Sequence, residues 1–469
     1  MLSDDVLLEI FDLYHEENED EDKDNDPLAW KNVWSWNILV HVCRRWRQVV
    51  FGSPLRLDLK ILCDSGTLVR KYLGIWPALP IVVKYFHRGF TNDDEDNIVT
   101  ALEHVDRVCN VGLRVKGFQL EKISTAMRQT FPMLARLYID SLVDSDNAPV
   151  LPADFLGGSA PLLHDIYLRG ISFPALPTLL LSTSDLVTLI LHNIPHSGYI
   201  SPEAMVVALA ALPRLKLFVI GFQLASPRPD RIHPPPVTRT ILPGVTSFYF
   251  IGASEYLEDL AVRIDAPQLG RIEIRYLNQL VDFRVAQLAR FIDRSVGPKL
   301  TLFKCARVSF DSRRVTFDMS HETGPYQEQL STTLSCQGID WQVSHMAHVL
   351  NQFSTTLSSS AAVNLKLEVE TWWVGPTEGM DDVNWQHLLL QFSTIQTLHV
   401  SRGLAEHVAF ALAHMVAGAF PSLDLIFLEG QPASSLEKFL AARKFSGRPV
   451  TVVDTKTEFD ERVKSYISK

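Results

Sequence analysis

Three heptapeptides decide the fold: Leu134–Asp140 reads LARLYID, Leu163–Arg169 reads LHDIYLR and Leu186–His192 reads LVTLILH. Each has an apolar anchor, two free positions, an apolar residue, one free position and another apolar residue. The phrase recurs at Leu215-x-x-Phe218-x-Ile220, Val245-x-x-Phe248-x-Phe250, Leu269-x-x-Ile272-x-Ile274 and Leu300-x-x-Phe303-x-Cys305. After a gap it returns at Ile395-x-x-Leu398-x-Val400 and Leu423-x-x-Ile426-x-Leu428. Anchors in the first run fall 23 to 31 residues apart, and a proline often precedes them, as at Pro132, Pro161, Pro213, Pro243, Pro267 and Pro421. One such phrase arises by chance; nine in order do not.

The spacing is that of leucine-rich repeats, loosely kept. A single strand with its return segment cannot bury its apolar side, whereas stacked copies share a continuous core, so the expected shape is a curved solenoid with a mostly parallel sheet. Side chains alternate along a strand, which puts the free positions on the face away from the core. One outward column reads Arg136, Asp165, Thr188; a second Tyr138, Tyr167, Ile190, Val219, Tyr249; a third Asp140, Arg169, His192. In-register neighbours would set Arg136 against Asp165 and Asp140 against Arg169, opposite charges flanking a tyrosine pair. The middle column is apolar for a solvated face. It is either strand-favouring filler covered by the chain's own loops, or a substrate-binding stripe of Tyr138, Tyr167, Ile190, Val219 and Tyr249.

Further along, Arg307–Met319 alternates around Asp311–Arg314 and suggests a hairpin or an irregular repeat, while Pro325–Ser335 is polar and reads in part as loop. Val343–Phe353 and Glu406–Phe420 have helical periodicity. A helix near Leu436–Lys444 with Gly447 past its end, a strand Pro449–Val453 and a last helix from Glu458 close the chain.

The first fifty-odd residues differ. Val6, Leu7, Ile10, Phe11 and Tyr14 form one face of a helix over Ser3–Tyr14, with Ser3 as its cap and Asp4 and Asp5 in its first turn. A loop over 15–29 follows; Glu16–Asp26 holds eight acidic residues and one lysine, against a net charge of −10 for the whole chain. A second helix is predicted from Trp34 to Phe51, with Leu39, Val42, Cys43, Trp46, Val49 and Val50 on one side and Arg44, Arg45 and Arg47 largely on the other. Two such helices cannot bury their apolar surface against each other alone; either they cap the downstream region or they dock on another protein.

Leu2-Ser3-Asp4-Asp5-Val6-Leu7-Leu8-Glu9-Ile10-Phe11 resembles the opening of an F-box, and Leu39-x-x-Val42-Cys43-Arg44-x-Trp46 resembles its close. Ser3 stands where that family usually has proline, and an acidic insertion separates the halves, which a loop absorbs at small entropic cost. The stretches from Ile339-Asp340-Trp341-Gln342, around Asn384-Trp385, Leu398-His399-Val400-Ser401 and Phe439–Arg443 look like a large fungal (mushroom-type) family of F-box proteins with leucine-rich-repeat-like C-terminal regions. The resemblance implies an α/β chain: a helical F-box at 1–56, then a repeat region at 57–469 that recognises substrate. It also implies a substrate receptor in a Skp–cullin–RING ubiquitin ligase. A Skp-type adaptor would be met through Leu2, Val6, Leu7, Ile10, Phe11, Val42, Cys43, Trp46 and Val50, some facing the adaptor and some holding the helices together. The alternative is a leucine-rich-repeat interaction scaffold with no ubiquitin role.

The rest of the sequence argues by exclusion. No phosphate-cradling glycine loop, nucleophile elbow or zinc-type cysteine pairing is present. His192 and His196 are separated by Pro195; His345 and His348 share a helix face with no third ligand near in sequence. We therefore expect no enzyme, cofactor or metal. Charge outside the acidic run is nearly balanced, which argues against nucleic acid. Five scattered cysteines (Cys43, Cys63, Cys109, Cys305, Cys336) form no disulfide framework. With no leader-like opening and no membrane-length apolar run, the expected compartment is cytoplasm or nucleus.

Overall fold

Every apolar phrase whose residues are described becomes a strand, with its anchor buried at the strand's entrance. The computed structural model describes residues 2–17, 35–86, 89–142, 148–223, 238–277, 285–296, 303–320, 328–336, 339–353, 362–369, 382–415, 419–429 and 434–454. The acidic run from residue 18 on, the anchor Leu300 and the helix expected from Glu458 lie outside them. The chain divides into two compact units, Met1–Ile200 and Ser201–Lys469.

The first unit opens with three helices, α1 (Asp4–Glu17), α2 (Ser35–Val42) and α3 (Arg44–Gly52). Ser3 Oγ accepts from the Val6 amide, as its capping role requires. The single helix expected over Trp34–Phe51 is broken at Cys43, whose backbone is extended (φ −158°, ψ 170°). The Cys43 thiol accepts from the Trp46 amide at 3.4 Å and so starts α3.

Strands β1 (Ile61–Asp64), β2 (Ile81–Tyr85), β3 (Val108–Lys116), β4 (Arg136–Leu142), β5 (Asp165–Arg169) and β6 (Thr188–Ile194) follow. Each pairs parallel with the next in chain order. Helices Val69–Ile75, Asn92–Leu102, Gly117–Ala126 and Leu176–Leu180 serve as return segments. The β4–β5 return instead uses a 3-10 turn at Phe155–Gly158. Gly157 sits there at φ +62°, and a Cβ would lie 2.5 Å from Thr130 Cγ2 and 2.9 Å from the Thr130 amide nitrogen, so this glycine is required by both torsion and space.

The second unit contains β7 (Leu217–Phe222), β8 (Thr240–Ile241), β9 (Ser247–Gly252), β10 (Ile264–Asp265), β11 (Arg271–Tyr276), β12 (Cys305–Phe310), β13 (Arg314–Ser320), β14 (Glu328–Ser335), β15 (Asn364–Val369), β16 (Thr397–Val400), β17 (Leu425–Leu428) and β18 (Thr451–Asp454). Its sheet runs β7-β9-β11-β14-β13-β12-β15-β16-β17-β18, with β8 and β10 paired separately. Return helices are fastened to one another as well as to the sheet. The Glu258 carboxylate on helix Ser254–Arg263 accepts from the Gln287 and Leu288 amides at 2.9 and 2.8 Å, capping helix Ala286–Ser295. Burial pushes the Glu258 carboxyl up in pKa although those two amides pull the other way.

Two expectations fail between β11 and β15. The phrase Leu300–Cys305 does not supply the next parallel strand. Instead β12 begins at Cys305 and pairs with β13 and β15. The stretch Pro325–Ser335, read in part as loop, carries β14, the parallel neighbour of β11. The hairpin reading of Arg307–Met319 does hold: β12 and β13 are antiparallel around Asp311, which accepts from the Arg313 and Arg314 amides at 2.6 and 2.9 Å. The gap in the phrase also closes, because β15 has the pattern Ala362-x-x-Leu365-x-Leu367 with all three side chains buried.

Candidate functional site

The three N-terminal helices are apolar on two sides. Inward, Leu7, Leu8, Phe11, Leu39, Val40, Val49 and Val50 are buried, and Phe11 meets Trp46 edge-on at 4.9 Å. Outward, Val6, Ile10 and Leu13 follow one another at helical spacing on α1, and Ile38 and Val42 do so on α2. Leu13, Ile38 and Val42 are 61, 60 and 55% exposed, and Leu2 is exposed as well. The predicted adaptor residues therefore divide. Leu2, Val6, Ile10, Val42 and Cys43 face solvent; Trp46 is half-buried; Leu7, Phe11 and Val50 hold the helices together and are closed to a partner. Leu13 and Ile38, exposed on the same two helices, are not among those residues, although Leu13 continues the spacing begun by Val6 and Ile10.

Arginines tie this motif down. Arg45 reaches Asp4 at 2.8 Å, and Arg56 spans Glu9 and Asp12 at 2.6 and 2.8 Å. A further side packs on the first repeat. Trp36 donates its indole N–H to the Lys60 carbonyl at 2.9 Å, and its ring lies edge-on to Trp76 at 5.4 Å, with Phe51 alongside.

On the sheet face of the first unit, the predicted register is observed. Arg136 pairs with Asp165 at 3.3 Å, and Asp140 with Arg169 at 3.9 Å and Arg114 at 3.0 Å. Tyr138 and Tyr167 are neighbours on one face, stacked at 4.2 Å with 16° between ring planes. Of the two readings of this column, cover by the chain's own residues is found at Tyr138, while Tyr167 stays partly open. Tyr138 is 4% exposed, closed by Phe86 edge-on at 5.3 Å and by the Arg114 guanidinium, which bonds its hydroxyl at 3.4 Å. Burial raises the Tyr138 phenol well above its ordinary pKa, with Arg114 opposing. Ile190 is buried too. What remains accessible is Tyr167 rimmed by Arg136 and Arg169.

In the second unit Val219 is buried and Tyr249 half-buried, with the Arg271 guanidinium 5.3 Å above its ring. Among the described residues, no group of three or more His, Cys, Asp or Glu is placed to hold a metal, and no helix is long and apolar enough to cross a membrane. His345 and His348 lie on helix Ile339–Gln352, where burial, then the neighbouring His348, lowers the His345 pKa.

No protein-family model matches the chain, and no curated protein matches it. Solved structures similar to it include the leucine-rich repeat-containing protein LegL7 from Legionella pneumophila, at 14% identity over 78% of this chain and 97% of that chain, with a TM-score of 0.27. So loose a superposition adds nothing to the strand order and register above.

Proposed function

We propose that the chain is a protein-binding subunit that docks on one partner through α1 and α2 and on another through its sheet faces. The carrying observation is the exposure of apolar side chains on both helices, Val6, Ile10 and Leu13 on α1 and Ile38 and Val42 on α2. A motif that only closed a repeat array would need a polar outer side to stay soluble; an exposed apolar row marks an interaction site. The resemblance to an F-box supports a Skp-type adaptor as the first partner, which would make the chain a substrate receptor of a ubiquitin ligase. It would raise the local concentration of substrate and carry out no chemistry itself.

The second reading is a repeat scaffold with no ubiquitin role, in which the helices are a cap. It is favoured by the Trp36–Trp76–Phe51 packing, which joins the motif to the first repeat. Co-purification of the full chain with a Skp-type adaptor separates the two. The receptor reading expects a stable complex that Ile10→Glu with Ile38→Glu weakens by about tenfold or more, since central apolar anchors carry about 2 kcal/mol, while the melting temperature stays put. A folded chain that never binds adaptor leaves only the cap.

A further inference from the structure

The face of the second unit's sheet that turns away from the helices has a trough of about 700 Å³ where β14, β13 and β12 run side by side. Side-chain length creates it. At one register these three strands present Thr333, Thr316 and Ser309, each a short hydroxyl. The next strand on one side places Arg275 opposite Thr333, and the next on the other places Glu368 opposite Ser309. The order across the sheet is thus cation, three hydroxyls, anion. Small residues make this row of the floor; on the rows beside it β12 and β13 contribute Arg307 and Asp318, paired at 3.3 Å, and Arg314, which pairs with Asp311.

The cationic wall is held loosely. The pair between Arg275 and Glu273 is stretched to 3.8 Å, and the Arg275 Nε is buried without a hydrogen-bond partner among the described residues. Among the described residues Glu368 pairs along its own strand with Lys366, and the exposed Glu429 adds a second carboxylate at that end. A buried guanidinium N–H without an acceptor is the kind of group a ligand oxygen satisfies. A lone small anion would meet Arg275 and leave the acidic wall empty. Arg275, Arg307 and Arg314 are matched by Glu273, Asp318, Glu368 and Glu429, so the lining has no excess of positive charge to draw a nucleic acid.

From Arg275 to Glu368 is four strand steps, roughly 19 Å at ~4.8 Å each, which an extended polypeptide spans in about six residues at ~3.3 Å per residue. We propose that this trough binds an extended segment of a partner protein carrying a carboxylate side chain and, about six residues away, a lysine or arginine. The carboxylate accepts from Arg275 and from the threonine hydroxyls; the cation sits against Glu368 and Glu429. The proposal rests on the reading of the sheet face as a binding surface and is independent of adaptor docking at α1 and α2, so either can fail without the other.

The test is fluorescence-anisotropy titration of the full chain, up to about 1 mM, with labelled peptides of otherwise neutral residues. One bears Glu and Lys separated by about five residues; controls place Glu and Lys adjacent, or put Gln at both positions, or Lys at both. Saturable binding of the spaced Glu/Lys peptide alone, weakened about tenfold in Arg275→Gln and in Glu368→Gln at unchanged melting temperature, is the expected result. Arg275→Glu should move the preference to the spaced Lys/Lys peptide. Equal binding of all peptides, no binding of any, or displacement by free glutamate as well as by the spaced peptide overturns it.

Discussion

Tyr138 shows what a single position owes to its neighbours. Gly112 stands opposite it on β3 and has no side chain, so Phe86 reaches across and closes the ring from one side while Tyr167 stacks on the other. Loss of that ring in Tyr138→Ser should destabilise the protein by about 3–4 kcal/mol. Tyr167→Ser, half-buried at the end of the stack, should cost about 1–2 kcal/mol and leave a folded protein in which partner capture can be measured. Urea unfolding of the two variants checks this; equal losses would mean that the stack does not hold Tyr138. The Arg136–Asp165 and Asp140–Arg169 pairs were legible in the sequence because alternation along a strand fixes parity once the anchors are found. The cover over Tyr138 was not. It comes from Gly112, in a repeat whose phrase Val108-x-x-Val111-x-Leu113 has valine for its anchor, and from Phe86 just past β2, which no local pattern links to Tyr138.

Elements were lost where a polar residue stood on a buried face, or where one residue broke a smooth periodicity. In β14 the core-facing positions are Leu330, Thr332 and Leu334, all buried. Threonine favours strands through its β-branch, but its hydroxyl made the segment look like loop. At Cys43 the apolar pattern runs on unbroken, so nothing in it announces the extended backbone that divides α2 from α3. The β12–β13 turn, by contrast, is written in one residue. Asp311 is partly desolvated, which opposes ionisation, yet the Arg313 amide and the Arg314 side chain outweigh this and hold its carboxyl below the usual 3.8. Asp311→Ala should therefore lower stability by about 1–2 kcal/mol at neutral pH, as loss of a comparable cap does. A carboxyl depressed in the folded state stabilises above its unfolded value and loses that effect as pH falls through the folded one. The gap between wild type and variant should thus shrink below pH 3.8. Denaturation curves on both sides of that value decide; a gap independent of pH would rule out the ionised turn.

At the scale of the whole molecule, the first unit pairs every strand with its neighbour in the chain, whereas the second sets the β8–β10 pair aside from β7, β9 and β11 and then departs further between β11 and β15. There β11 waits for β14, and β12 waits for β15, so two long-range pairings interleave. A regular repeat array can zip up one unit at a time, because each new strand lands on the one just formed. Here zipping must stop after β11. Closing the extra chain length is cheap in equilibrium terms, since doubling a loop adds only about 0.6 kcal/mol, but non-local pairing is slow. The β12–β13–β14 meander, whose contacts are local, should form first and then be captured between two waiting edges. Pulse-labelled hydrogen exchange during refolding should find Phe317 and its β13 neighbours protected before the β11–β14 ladder; simultaneous protection would contradict this order. Until capture, β11 and β15 each present an open row of amides and carbonyls, the usual starting point for pairing between chains. The second unit thus has a defined interval in which it is vulnerable to aggregation, and a chaperone that shields strand edges would act there.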